Sequence, residues 1–200
     1  MSKRYKPALL CVNMINDYVH PDGRATSLGM QQFIAEHNSI ARIKRILEQF
    51  RRQDHLIIHT RTAFHHGYPE FPNDSVIFHD LDKKQALLEG TWGTEFLEGL
   101  EPERNEPVIT KRRVGAFYHT DLDLILRAQD AEQLYIIGHS TQRTVLISAC
   151  EAHDRDFHPV VIADGCVSSS DERNDIGLRL LKTYAEVKKF EEIAVRLAQI

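Results

Sequence analysis

The sequence predicts a three-layer α/β/α fold, Rossmann-like, with a six-stranded and mostly parallel sheet covered by helices on both faces. Two patterns point there. Short apolar runs alternate with helix-period segments along nearly the whole chain, the signature of successive β-α-β crossovers. The apolar runs are continuous instead of alternating with polar residues, as expected of strands buried on both sides. The length of 200 residues suits one domain, residues 1–200, with a substantial core.

The first strand is Ala8-Leu9-Leu10-Cys11-Val12. A long amphipathic helix is predicted from Met30 to Gln53, because Phe33, Ile40, Ile43, Ile46, Leu47 and Phe50 recur at helical spacing. The second strand is His55 to His59 and the third is Pro107 to Thr110, followed by a helix from Thr120 to Gln129. Leu134 to Ile137 is the fourth strand and leads into a helix from about Thr141 to Asp156. Pro159 to Ala163 is the fifth strand. A helix from Asp171 to Tyr184, a short sixth strand near Val187 and a terminal helix from Glu191 complete the order. Thr60 to Asn105 breaks the alternation. It is long, rich in Gly, Pro and His, and only partly periodic, which marks it as a functional loop.

Composition narrows the function. Hydrophobic residues make up 42 % and charged residues 27 %, a globular profile. The net charge of −4 argues against nucleic acid as a partner. The basic group Arg42, Lys44, Arg45, Arg51 and Arg52 is interleaved with Glu48 and apolar residues and reads as a solvated helix face. Three cysteines without a C-x-x-C point to a reducing compartment. The start, Met1 to Lys6, is polar and basic, and no apolar run approaches the ~18 residues of a membrane span. A cytoplasmic protein is the expectation. No G-x-G-x-x-G, P-loop or G-x-S-x-G is present, so no nucleotide cofactor and no nucleophile elbow are expected. His59, His65 and His66 lack a carboxylate at ligand spacing, so no metal is expected either.

In a parallel sheet, ligands bind at the carboxyl ends of the strands. Those ends are Asn13, Thr60-Arg61, Lys111, His139 to Thr144, and Asp164 to Cys166. On pattern alone, Lys111-Arg112-Arg113 reads as three exposed basic residues at a strand end.

Four segments together resemble the isochorismatase-like cysteine hydrolases. Ala8 to Tyr18 resembles that family's opening strand, where Asp-Met-Gln-Asn-Asp-Phe is common. Lys111 to Phe117, followed by Thr120-Asp121-Leu122, matches a K-x-R-x-S-A-F segment. Gly138 to Val145, with Ser148-Ala149 and Ala152, is similar to the nucleophile loop G-V-x-T-x-x-C-V-x-x-T-A-x-x-A. Val161 to Cys166 and Ser168 to Asp171 resemble the family's Asp-Ala and Ser-rich segment, and Gly90-Thr91-Trp92-Gly93 its glycine-containing loop. The likeness spans nearly the whole chain.

Carried over position by position, the family's Asp-Lys-Cys triad falls on Asn13, Lys111 and Thr144, and only the lysine is kept. In the family the aspartate takes the thiol proton, the lysine stabilises charge, and the cysteine attacks an amide or similar carbonyl. The isochorismatases themselves lack the cysteine and cleave a vinyl ether by acid–base chemistry, but keep the aspartate. Neither mechanism transfers intact. An asparagine amide does not titrate, and a hydroxyl needs strong base assistance.

The resemblance therefore makes Lys111 a site lysine, as electrostatic stabiliser, proton donor or base. Thr144 is expected to fill the cysteine's space and give a hydrogen bond; a weak nucleophile activated by Lys111 is the other reading. Asn13 either binds a ligand or only hydrogen-bonds Lys111. Asp17 is expected to be structural and Cys166 to be packing. The loop from Gly138 leads into a helix, so Ser140 and Thr144 are expected at an anion or oxyanion site. The resemblance also implies a cis peptide at His139–Ser140. Arg61, Trp92, Arg143 and His139 are candidate substrate contacts, with Arg112 beside them. Two functions follow: a small-molecule hydrolase acting on an amide, ester or vinyl ether through an altered Asn-Lys-Thr site, or a catalytically inactive relative that binds a small carboxylate or serves as an interaction partner. The resemblance further implies a homodimer or homotetramer.

Overall fold

The computed structural model describes residues 5–72 and 74–197, without the side chains of residues 195 and 196; Met1 to Arg4 of the basic start lie outside them. Six strands form one sheet in the order β3-β2-β1-β4-β5-β6, and every neighbouring pair runs parallel. The strands are β1 (Lys6–Val12), β2 (Leu56–Thr62), β3 (Val108–Lys111), β4 (Ala131–His139), β5 (His158–Val167) and β6 (Glu186–Lys188). The helices are α1 (Asn16–Val19), α2 (Met30–Glu36), α3 (Ser39–Arg52), α4 (Leu122–Ala128), α5 (Leu146–His153), α6 (Asp171–Leu181) and α7 (Phe190–Leu197).

Strand alternation sorts the core into two layers. Leu9, Cys11, Tyr135 and Ile137 face Ile43, Ile46, Leu47 and Phe50 of α3 and Phe190 and Ile193 of α7. Ala8, Leu10, Leu134 and Ile136 face Leu122 and Leu126 of α4, Ala149 and Ala152 of α5 and Leu181 of α6. A third cluster, built on Phe64, Phe71, Phe78 and Leu87, holds the long segment after β2 against the carboxyl edge of the sheet.

Several element boundaries differ from expectation. The helix expected over Met30 to Gln53 is two, α2 and α3. They are parted at Asn38, whose φ of 48° is left-handed. Asparagine tolerates that conformation, and the apolar spacing continues across the break, so periodicity alone hides it. The helix expected from Thr141 opens instead with a wide turn over Thr141–Val145, where Val145 N–H donates to Ser140 O at 3.1 Å. β5 runs on through Asp164 and Gly165, residues expected beyond its end. α4 and α6 are shorter than expected, and α1 has no apolar period to announce it. Gly138 is the one glycine that positions the site. Its φ is +113°, and a Cβ there would stand 2.2 Å from the Val12 carbonyl oxygen, so only glycine lets β4 close on the end of β1.

Candidate active site

The ends of β1, β2, β3 and β4 converge on a cavity of about 130 Å³. Thr62 and Lys111 are register partners at the ends of β2 and β3. Asn13 follows β1 with a left-handed φ of 55°, and its N–H donates to Thr60 O at 2.9 Å. His139 ends β4 and is joined to Ser140 by a cis peptide, and the turn carrying Arg143 and Thr144 follows.

A chain of side-chain hydrogen bonds links these ends. Lys111 Nζ donates to Thr62 Oγ1 at 2.7 Å and to Arg113 O at 3.0 Å. Thr62 Oγ1 donates to Asn13 Oδ1 at 3.2 Å, and Asn13 Nδ2 donates to Thr144 Oγ1 at 3.4 Å. The chain has a direction, from the lysine toward Thr144. Asn13 gives a proton to the Thr144 oxygen and so cannot take one from it. The Thr144 hydroxyl proton remains unused in that bond.

The polar wall is completed by Ser27, Ser140 and Arg143, and the apolar wall by Tyr18, Ile77, Phe78, Leu81 and Val114. The lysine and arginine of the described wall are Lys111 and Arg143, and the wall carries neither a thiol nor a carboxylate. Lys111 is only 1 % exposed. Burial pulls its pKa down from the ordinary 10.5 to about 7, against a smaller opposing pull from Glu151. Burial pushes His139 down to about 3, helped by Arg143 and Lys111, so its imidazole is neutral. Burial pushes the Tyr18 phenol up to about 12, with the hydrogen bond to Thr62 opposing, so it stays protonated. Its ring packs 5.1 Å from that of His139. Arg143 Nε donates to Ser140 Oγ at 3.3 Å, and among the described residues no carboxylate pairs with its guanidinium.

The cavity thus brings together Asn13, Lys111, His139, Ser140, Arg143 and Thr144. Three candidates, Arg61, Trp92 and Arg112, fall outside its lining. Arg61 neighbours Thr62 on β2, and successive side chains of a strand face opposite ways; Arg61 Nε donates to Thr110 Oγ1 at 3.1 Å. Trp92 is 45 % exposed and stacks edge-on against His20. Arg112 is bound to Glu70 and Glu89. Thr62 and Tyr18 were not among the sequence candidates. The signal for Thr62 was available in its place, one residue from Arg61 on a strand ending level with Lys111.

Asp17 is structural: its carboxylate accepts from the backbone N–H of Arg24 at 3.0 Å and of Leu87 at 2.6 Å. Cys166 is buried, and its thiol donates to Ile162 O at 3.4 Å. Of the histidines weighed for a metal, His59 pairs with Glu106, while His65 pairs with Glu70 and Glu89. No helix among the described residues is long and apolar enough to cross a membrane.

The sequence profile of the isochorismatase domain matches residues 7–192. Maleamate amidohydrolase of Pseudomonas putida is 25% identical over 162 residues, covering 81% of this chain and 72% of its own. Ureidoacrylate amidohydrolase of Agrobacterium fabrum is 26% identical over 174 residues, covering 81% of this chain and 76% of its own. The crystal structure of an isochorismatase family protein from Desulfovibrio vulgaris superposes with a TM-score of 0.86 at 22% identity, covering 98% of this chain and 100% of that one. Nicotinamidase from Bacillus subtilis superposes with a TM-score of 0.73 at 23% identity, covering 92% of this chain and 100% of that one. The two structures share the fold.

Proposed function

Because the chain belongs to the isochorismatase family, we propose that it hydrolyses a small-molecule amide, with Lys111 doing the proton transfer that the resemblance to cysteine hydrolases assigns to an aspartate and a thiol. One observation carries the reading. Of the titrating groups on the cavity wall, His139 and Tyr18 are driven away from neutrality and Lys111 is drawn to about 7. A general base works best when its pKa lies near the operating pH. Neutral Lys111 takes a proton from water as that water attacks the amide carbon. The C–N bond then breaks, and the lysine ammonium returns the proton to the departing nitrogen. Acid and amine leave as products. Ser140 and Thr144 hydrogen-bond the substrate, and Arg143 attracts an anionic one.

The test is kcat/KM against pH on a panel of small amides, some with a carboxylate. The profile rises through about pH 7 as Lys111 loses its proton, and Lys111→Met abolishes turnover. A profile flat across that range, or turnover unchanged in Lys111→Met, overturns the reading.

The cavity wall without thiol or carboxylate supports a second reading, a non-catalytic relative that binds a small carboxylate. Its mark is thermal stabilisation by small carboxylates with no turnover of any amide. In either case we place the protein in the cytoplasm as a homodimer or homotetramer. The unpaired Cys11, Cys150 and Cys166 fit a reducing compartment, and light scattering of the purified chain checks the assembly.

A further inference from the structure

Lys111 faces its cavity without an anion on the cavity wall, and its nitrogen has one position to spare. Nζ makes two hydrogen bonds, to Thr62 Oγ1 and to the Arg113 carbonyl. A neutral amine so held keeps a lone pair. Asn13, standing where the family resemblance puts an aspartate, supplies no negative charge to hold the proton on. The same neutral amine that serves as a base is also a nucleophile. Attack on an amide or ester would end in a stable amide on Lys111 and stop the protein. Attack on an aldehyde or ketone is reversible.

The second feature is Arg143. Its Nε is engaged by Ser140, its two terminal nitrogens have no carboxylate partner among the described residues, and it lines the same small cavity. A planar guanidinium with its fork free suits a carboxylate. The wall between is apolar, formed by Tyr18, Phe78, Leu81 and Val114.

We propose that Lys111 forms a reversible imine with the carbonyl group of a small oxo acid whose carboxylate is held by Arg143. The Nζ lone pair attacks the carbonyl carbon and a C–N bond forms. The carbonyl π pair moves to oxygen, which takes up a proton. The carbinolamine then loses that oxygen as water, giving the imine, so amine and carbonyl yield imine and water with no net change in oxidation. Thr144, with its hydroxyl proton unused, is placed to donate toward the departing oxygen. The proposal rests on the reading of Lys111 as a neutral amine, but not on hydrolysis.

The experiment uses the full chain at pH 7 with pyruvate and sodium cyanoborohydride, which reduces an imine to a stable secondary amine. Intact mass and peptide mapping then locate the adduct. The expected result is an adduct on Lys111 with the mass of pyruvic acid less one oxygen, absent in Lys111→Met. Arg143→Gln should lower the yield at Lys111 by about tenfold with pyruvate, the worth of one charge-assisted contact, and leave it unchanged with butanone. Adducts confined to other lysines overturn the imine, and the peptide map of the unmutated chain decides this even if Lys111→Met does not fold. A pyruvate yield at Lys111 that is unchanged in Arg143→Gln overturns the role of Arg143. Amide turnover with the expected pH profile but no adduct removes the imine and leaves the base; an adduct without turnover does the reverse.

Discussion

Strand β2 carries a buried polar side chain toward each face of the sheet, and the two meet opposite fortunes. His59 is fully buried, and its Nε2 lies 2.8 Å from Glu106 Oε2. Arg51 of α3 closes on the same carboxylate from Nε at 2.7 Å and Nη2 at 2.8 Å, and the Glu103 N–H donates to it at 2.9 Å. These partners hold the Glu106 carboxyl at about 2 despite its burial. Three residues on, Thr62 meets Lys111 with no carboxylate on the cavity wall. One cluster is charge-balanced; the other leaves a buried cation exposed to its own desolvation. Balanced burial is architecture. Unbalanced burial costs stability, and proteins tolerate that where chemistry needs it.

Lys111→Met separates the two most sharply. Turnover should fall by at least about 100-fold, the usual contribution of a general base. Stability should rise by about 1 kcal/mol, since an uncompensated buried cation gives way to an apolar chain of similar length. The gain depends on pH. The lysine's pKa is about 7 in the folded chain against an ordinary 10.5, so folding is penalised wherever the unfolded lysine would be charged. The penalty grows as pH falls from 10.5 toward 7 and is constant below. Chemical denaturation at pH 6 and pH 10 should therefore show the larger gain at pH 6. A loss of stability at pH 6 would contradict the imbalance.

Glu106→Gln should behave the other way. Removing the shared carboxylate strands Arg51 beside a buried His59, at a cost of about 2 kcal/mol. Turnover per folded molecule should hardly change, because Glu106 is not on the cavity wall. The carboxylate's contribution is fully present above its ordinary pKa of 4.5 and is lost as pH falls through about 2. Acid unfolding of the unmutated chain should therefore be the steeper of the two. A variant that loses turnover without losing stability would move this cluster into the active site.

The contrast shows where sequence reasoning reached its limit. Continuous apolar runs were enough for a sheet of this kind, because a strand buried on both faces has few polar residues to spare. Asn13, Ser140 and Thr144 were legible by their place at strand ends and by resemblance, whereas Lys111, exposed on pattern alone, was a site residue only by resemblance; it is buried because the last residue of β3 turns its side chain toward Thr62. Arg61 was not, because its position at a strand end says nothing about the face it takes; Thr62, next to it, reaches the cavity instead. The pairing of His59 with Glu106 joins residues 47 apart, through a loop whose path no local period records. The charge balance that distinguishes the two clusters is a property of which groups meet.

Asn13→Asp tests that balance directly by adding the missing anion. Asn13 and Lys111 both hydrogen-bond Thr62, so a carboxylate at 13 lies within reach of the ammonium. It should raise the lysine's pKa by one unit or more. The midpoint of kcat/KM against pH then moves upward from about 7, and the rate at pH 7 falls by about tenfold. Imine trapping at pH 7 should fall in parallel. An unmoved midpoint would mean that Lys111 is not the titrating group.

The smallest effect is expected at Thr144. Its oxygen accepts from Asn13 Nδ2, so Thr144→Val, which keeps the shape, leaves that buried N–H without a partner and costs about 1 kcal/mol. Thr144→Ser keeps the acceptor and should cost less. Turnover should stay within about tenfold in both, because a hydroxyl that supplies one hydrogen bond contributes no more than that. The two variants also separate Thr144 from Lys111 as the reacting group. If the serine variant works and the valine variant loses activity by a factor near that of Lys111→Met, the hydroxyl is a nucleophile that the lysine activates. Thr144 would then be a weak nucleophile, with the neutral amine as the base that makes it competent.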